Sequence, residues 1–169
     1  YLLGNYQINN MKKKIVVAVG GSSGSIYAKL LLDKLSTRED LIIGVVMTDN
    51  AKINWEIEIG SWNPSDYDVN YYENNDYYAP FASGSAQYEC MIVCPCSMGL
   101  LSRINHGISN DLITRATDVI LKERRKLIVV PREAPYNLIH LRNMTSLTEA
   151  GAIICPATPS FYSNPTTLD

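Results

Sequence analysis

The chain has 169 residues, of which 46% are hydrophobic and 19% are charged, and its formal net charge is −2. This length suits one domain with a sizeable core, and the small negative charge gives no basic field of the kind that binds nucleic acid. No run of about 18 apolar residues occurs, so the sequence predicts no membrane-spanning helix.

Residues 1–10 are predicted to be a tail, of upstream or expression-related origin, ahead of one domain that covers residues 11–169. The tail does not have the pattern of a secretory signal, because its apolar piece is three residues long and its lysines follow that piece. Without such a signal, four cysteines indicate reduced thiols and a cytoplasmic location: Cys90, Cys94, Cys96 and Cys155.

Apolar runs and stretches with helical spacing alternate along the domain. The predicted strands are 14–20, 41–48, 90–96, 126–131 and 152–156, and their continuous apolar character is typical of parallel strands buried on both faces. The predicted helices are 25–35, 49–60, 97–105, 110–125 and 137–150. Residues 60–78 are rich in Tyr, Asn and Asp and are predicted to be irregular. The alternation predicts an α/β fold, a doubly wound parallel sheet in a single domain with helices on both faces.

Polar residues follow the carboxyl ends of four predicted strands, where open parallel sheets bind their ligands. The sequence GGSSGS (Gly20–Ser25) follows the first strand, Thr48 and Asp49 end or follow the second, Ser97 follows the third, and the pair Arg132–Glu133 follows the fourth. These residues are therefore expected to share one edge of the sheet.

Each of these positions also has a purely structural interpretation. The glycine-rich turn suits a phosphate at a helix N-terminus, and it suits a tight strand-to-helix turn about equally well. Ser97 is a good helix N-cap whatever else it does. Asp49 is a candidate acid for the ribose of a dinucleotide, but we favour a helix N-cap.

Further along, Arg115 and Lys122 are seven residues apart and lie on one face of a predicted helix, where they could reach a phosphate together. Arg124, Arg125 and Lys126 are expected to lie near a helix C-terminus, where positive charge is favourable, and no ligand role is assigned to them. The sequence CMIVCPC is interpreted as an apolar strand rather than a metal site, because no matching Cys/His pair follows. His106 and His140 are expected to make structural hydrogen bonds.

Several of these stretches together resemble one family, the flavin prenyltransferases of the UbiX/Pad type. The resemblance is carried by GGSSGSIYAKLLL, APFASGS, LKERRKLIVVPREAP, IHLRNM and PATPSFY, and it extends over about residues 14–169. It implies a Rossmann-like fold, a homo-oligomer that is typically a dodecamer, and FMN as cofactor. It also implies metal-independent transfer of a dimethylallyl group from dimethylallyl monophosphate to reduced FMN. The prenylated FMN serves UbiD-type decarboxylases, in ubiquinone biosynthesis or on aromatic acids.

Residue by residue, the resemblance implies two groups of site residues. Flavin contacts are assigned to Gly21, Ser22, Ser23, Thr48, Ser97, Met98, Gly99, Leu100 and Arg132. Contacts around the allylic phosphate are assigned to Arg115, Lys122, Glu133 and Tyr162. Catalytic roles are assigned to Ser23, Glu58 and Glu133. Members of the family continue with a helix that adds a basic residue to the phosphate site, whereas this sequence stops at Asp169.

Two other functions fit the same fold. FMN-dependent cysteine decarboxylases need a catalytic histidine and a turn of the type PASANT, where this chain has PCSMGL. A non-catalytic flavin carrier subunit of a decarboxylase would need no second phosphate site, so Arg115, Lys122 and Glu133 disfavour it.

Overall fold

A computed structural model describes residues 12–162 and 166–167 of the chain, and the predicted tail at 1–10 lies outside them. The strands are β1 (Lys13–Val19), β2 (Leu41–Met47), β3 (Asn70–Glu73), β4 (Cys90–Cys96), β5 (Lys126–Pro131) and β6 (Ile153–Ile154). They form one six-stranded sheet with the order β3-β2-β1-β4-β5-β6, and every neighbouring pair is parallel.

The helices are α1 (Ser25–Leu35), α2 (Asp49–Glu58), α3 (Met98–Asn105), α4 (Leu112–Lys122) and α5 (Leu138–Glu149). Two hydrophobic cores lie on opposite faces of the sheet: one contains Val17 with Leu32 of α1, the other Ala18 with Leu101 of α3. The predicted α/β fold with helices on both faces is therefore confirmed. Within the ranges described, no helix is long and apolar enough to cross a bilayer.

The prediction that residues 60–78 are irregular was wrong in part, because β3 lies within this segment. β3 is an edge strand, which pairs with β2 in the register Gly44 to Asn70 and Met47 to Glu73. An edge strand has one neighbour and is exposed along its other side, so a polar sequence such as NYYE can form one. Its pattern does not resemble the apolar runs of the central strands.

Helix α4 is shorter than the predicted range of 110–125. Asp111 is its N-cap and accepts a hydrogen bond from the Thr114 amide at 2.8 Å, so the helix begins at Leu112. At the other end Arg124 has a φ of 56°, a left-handed conformation that ends the helix after Lys122.

The strand order reverses between β1 and β4, and this reversal creates a crevice at their carboxyl ends. The Gly20 amide donates to the Pro95 carbonyl oxygen at 2.9 Å and so brings the two strand ends together. A side chain at Gly20 would place its Cβ 2.6 Å from that oxygen, which explains the glycine. The crevice is where the site residues are expected.

Candidate functional site

The glycine loop, which we define as Gly20–Ser25, connects β1 to α1 at this crevice. Gly24 has a φ of 109°, which favours glycine, and it directly precedes the helix. Among the described residues, the amides of Gly21, Ser22 and Ser23 have no hydrogen-bond acceptor. The Ser22 hydroxyl is buried and also has no partner there. The loop therefore presents a row of polar groups that a bound ligand can satisfy.

Glu58, at the end of α2, binds the other end of the loop. The amides of Gly24 and Ser25 donate to its Oε2 at 2.9 and 2.7 Å. Partial burial acts to raise the pKa of Glu58, but hydrogen bonds from the Ser23 side chain and from the two amides outweigh it and hold the pKa below its ordinary value. The carboxylate is therefore ionised at neutral pH, and it already occupies the N-terminus of α1, where a phosphate was one of the two expectations.

Asn54 also contacts the loop and was missed in the sequence. Its Nδ2 donates to the Gly21 carbonyl oxygen at 3.0 Å, one helical turn before Glu58. The sequence offered only a weak signal: Asn50, Asn54 and Glu58 recur every four residues, a spacing that puts polar side chains on one helix face. Such a face is usually solvated, and here it covers the glycine loop.

Thr48 stands at the carboxyl end of β2 and caps α2. Its Oγ1 accepts from the Ala51 amide at 3.0 Å, and its own amide donates to Val19 at 3.1 Å. The favoured interpretation of Asp49 as an N-cap was therefore wrong, since Asp49 is the first residue of α2 and Thr48 is the cap. Thr48 is the cap because its extended backbone, with φ −69° and ψ 159°, directs the hydroxyl back to the helix amides.

Ser97 is the predicted N-cap of α3, and its Oγ accepts from the Leu100 amide at 3.3 Å. Met98 and Leu100 are buried in the core, whereas a side chain at Gly99 would meet open space. This turn therefore presents backbone and the small Gly99 to the crevice, and any contact from Met98 or Leu100 is expected to use the main chain.

Arg132 directly follows β5 and reaches the glycine loop, where its Nε donates to the Ser23 carbonyl oxygen at 2.7 Å. The next residue, Glu133, is exposed and accepts a hydrogen bond from the Ala134 amide at 3.0 Å. Neither side chain makes an ion pair with any described residue. The adjacent charges thus have different hydrogen-bond partners within the chain.

Three of the four residues expected around the allylic phosphate, Arg115, Lys122 and Tyr162, make no hydrogen bond to this loop within the described part of one chain, whereas Glu133 follows Arg132 beside it. Arg115 donates from Nε to the Ala82 carbonyl oxygen at 3.1 Å and pairs with Asp118, while Lys122 pairs with Glu123. Tyr162 is 96% exposed. Arg115 and Lys122 share α4, as predicted, but contact a different part of the fold from Arg132 and Glu58.

His106 and His140 make the local hydrogen bonds that were expected. His106 Nδ1 lies 2.8 Å from the Ser102 carbonyl oxygen, and His140 Nδ1 accepts from the Asn137 amide at 3.3 Å. The sequence CMIVCPC forms β4, and all four cysteines are free thiols.

The crevice residues fit an aromatic heterocycle with several hydrogen-bonding atoms. The loop carries three unpartnered amides and the unpartnered Ser22 hydroxyl, and beside it stands the Arg132 guanidinium, whose terminal nitrogens have no partner among the described residues. These groups suit the carbonyl and ring-nitrogen edge of a flavin, so the expectation of FMN is compatible with the residues present.

A parallel sheet of this order with such a loop at its switch point defines an α/β protein of the nucleotide-cofactor class. The family model described as Flavoprotein matches residues 3–166. The flavin prenyltransferase UbiX of Methanocaldococcus jannaschii is 46% identical over 154 residues, which cover 90% of this chain and 83% of that protein. The chain belongs to the flavin prenyltransferase family of flavoproteins.

Two solved structures agree with this. AnUbiX (PadA1), in complex with FMN and dimethylallyl pyrophosphate, is 40% identical and superposes with a TM-score of 0.86 over 92% of this chain and 84% of that one. A dodecameric FMN-dependent UbiX-like decarboxylase from Escherichia coli O157:H7 is 37% identical, with a TM-score of 0.86 over 91% of this chain and 85% of that one.

Proposed function

We propose that this chain is a metal-independent flavin prenyltransferase. It binds FMN and joins a dimethylallyl group from dimethylallyl monophosphate to the reduced flavin, and the prenylated FMN passes to a UbiD-type decarboxylase. The observation that carries the proposal is that Arg132 and Glu58 both bind the glycine loop: Arg132 donates to the Ser23 carbonyl oxygen, and Glu58 accepts from the next two amides. Bound reduced FMN supplies the nucleophilic ring atoms that take up the dimethylallyl group.

The flavin contacts are assigned to the residues that converge on the crevice. The N–H groups of Gly21, Ser22 and Ser23 are unpartnered among the described residues and can donate to the flavin. The Thr48 hydroxyl accepts from the Ala51 amide, and its own hydrogen remains available. Arg132 uses only Nε within the described protein, so its terminal nitrogens can donate to a flavin carbonyl. The turn from Ser97 to Leu100 closes the other side with its backbone.

The allylic phosphate is assigned to Arg115, Lys122, Glu133 and Tyr162. Two cations stabilise the negative charge that develops as the phosphate leaves, and holding both reactants at reacting distance contributes roughly 7–11 kcal/mol. Arg115 and Lys122 do not meet the glycine loop within one chain, which supports a site completed by a second copy. We therefore propose a closed homo-oligomer, and a dodecamer as in the E. coli relative.

Proton transfer is assigned to carboxylates on both sides of the site. Glu58 is hydrogen-bonded to the Ser23 side chain, and the removal of a proton from the flavin ring is assigned to this pair. Glu133 is exposed and is suited to moving a proton to or from the departing phosphate. A cytoplasmic location, consistent with four free thiols, and a place in ubiquinone biosynthesis are part of the same proposal.

The test is mass spectrometry of the flavin released after anaerobic incubation with reduced FMN and dimethylallyl monophosphate. A flavin heavier by one five-carbon unit supports the proposal, and unmodified FMN in every fraction refutes it. A carrier subunit would return the flavin unchanged. A cysteine decarboxylase would release carbon dioxide from a cysteinyl substrate, but its expected turn is replaced by PCSMGL and both histidines make local bonds.

A further inference from the structure

Asn54 connects α2 to the glycine loop at the Gly21–Ser22 peptide. Asn50, Asn54 and Glu58 lie four residues apart, so their side chains share one face of α2. That face contacts the loop three times. A Cβ at Gly21 would lie 2.6 Å from the Asn50 Cβ, Asn54 Nδ2 donates to the Gly21 carbonyl oxygen at 3.0 Å, and Glu58 accepts from the Gly24 amide at 2.9 Å.

The bond from Asn54 fixes the orientation of one peptide plane. The Gly21–Ser22 peptide is trans, since the cis bonds of the described chain both precede prolines. In a trans peptide the C=O and the following N–H point in opposite directions. Because Asn54 draws the Gly21 oxygen toward α2, the Ser22 N–H is directed away from α2. That N–H has no acceptor among the described residues, and the Ser22 hydroxyl beside it is buried without a partner.

We propose that Asn54 is a positioning residue for flavin binding: it holds the Gly21–Ser22 peptide in the one orientation that presents the Ser22 N–H to the cofactor. The proposal rests on the proposed function, because FMN is the ligand concerned. Without the Asn54 amide, glycine at position 21 leaves the peptide free to rotate. The rotated peptide would present its carbonyl oxygen, which repels the oxygen and nitrogen acceptors of a flavin.

Gly21 contributes to the same contact between the loop and α2. The 2.6 Å approach to Asn50 is too short for a real Cβ contact, so Gly21→Ala pushes the loop away from α2 and lengthens the bond from Asn54. Gly21→Ala and Asn54→Ala should therefore disturb one interaction, and their combined effect on FMN affinity should be less than additive.

The experiment measures FMN affinity by fluorescence quenching, together with the kinetics of prenyl transfer. Asn54→Ala should raise the Kd for FMN by roughly 3- to 10-fold, as expected for one lost hydrogen bond. Asn54→Asp should raise the Kd further, because a carboxylate then faces the Gly21 carbonyl oxygen. The KM for reduced FMN should rise in both variants while kcat at saturating flavin is retained.

Two comparisons separate positioning from a general structural role. Glu56→Gln, on the exposed side of α2, should leave the Kd unchanged. The melting temperature of the flavin-free Asn54 variants should fall by no more than about 2–4 °C, the shift expected for the loss of one hydrogen bond in a domain of this size. The inference is overturned if both variants bind FMN with wild-type affinity. It is also overturned if the melting temperature falls further and kcat falls while KM is unchanged. Either result leaves the proposed function standing. Failure of the wild-type protein to bind FMN would instead refute the proposed function on which it rests.

Discussion

Arg132 Nε donates to the Ser23 carbonyl oxygen at 2.7 Å and joins two segments that lie 109 positions apart in the sequence. The bond takes one of the five N–H donors of the guanidinium group, and Arg132 has no carboxylate partner in the described protein. The side chain is therefore aimed by the loop and still carries an unneutralised charge toward the crevice.

Arg132→Ala should weaken FMN binding by about 10- to 150-fold, the equivalent of losing a hydrogen bond to a charged group worth about 1.5–3 kcal/mol. Arg132→Lys should fall between this variant and the wild type, because an ammonium keeps the charge but lacks the planar fork. Titration of flavin fluorescence measures both. Arg142→Ala, an exposed arginine of α5, is the matched control and should bind normally. Equal affinity for Arg132→Ala and wild type would remove Arg132 from the flavin site.

Glu133→Gln should keep FMN affinity and lower the rate of prenyl transfer by roughly 10²- to 10⁴-fold, the usual contribution of a general acid–base group. The separation follows from geometry: Glu133 bonds only the neighbouring Ala134 amide, whereas Arg132 contacts the loop. Single-turnover kinetics with bound reduced FMN isolates the transfer step. A rate within a few-fold of wild type would mean that Glu133 only shapes its turn.

Lys122→Ala should bind FMN normally and lose prenyl transfer at low concentrations of dimethylallyl monophosphate, because its charge is assigned to the phosphate. Its pairing with Glu123 is half-exposed and contributes little to stability, so the variant should fold. Steady-state rates over a range of donor concentrations provide the measurement. Lys34→Ala, an exposed lysine in the last turn of α1, serves as control. Unchanged turnover in Lys122→Ala at low donor concentration would contradict the assignment.

The protein in solution should have a mass far above the 18.8 kDa of one chain. Arg115 and Lys122 of α4 do not contact the glycine loop within one chain, so the proposed site requires a second copy. Light scattering coupled to size exclusion tests this. A monomer at micromolar concentration that still transfers the prenyl group would refute the shared site.

The pH dependence of stability should report on Glu58. Its folded pKa is lowered, so its stabilising effect is fully present above its ordinary value of 4.5 and is lost as the pH falls through the folded value. Glu58→Gln should therefore lower the melting temperature at pH 7, and the difference from wild type should shrink below pH 4.5. Thermal melts across this range decide the matter. A difference independent of pH would mean that the charge of Glu58 does not hold the loop.

The sequence predicted the central strands because a strand buried on both faces needs an unbroken apolar run, as in β1 and β2. It did not predict β3, whose residues Tyr71 and Tyr72 are only half-buried and whose remaining residues are exposed. An edge strand does not need a continuous apolar run, because it is partly exposed, so its composition overlaps with that of loops. The polar strand ends were predictable from topology alone, since parallel strands bring their carboxyl ends to one edge.

The support beneath the glycine loop was not predictable in the same way. An amide or a carboxylate on the polar face of α2 has the same sequence pattern whether it meets water or backbone, so the four-residue spacing gave only a weak signal for Asn54, and Glu58 entered only through family resemblance. Only the packing of α2 beside α1 distinguishes the two cases.

The two anchors of α2 also determine when the loop loses its conformational freedom. Asn54 holds the Gly21–Ser22 peptide and Glu58 holds the amides of Gly24 and Ser25, so the entropy of ordering this segment is lost during folding. An arriving ligand meets a preorganised surface and does not bear that penalty. Substitutions that loosen α2 will therefore weaken the cofactor's hold even when they touch none of its atoms.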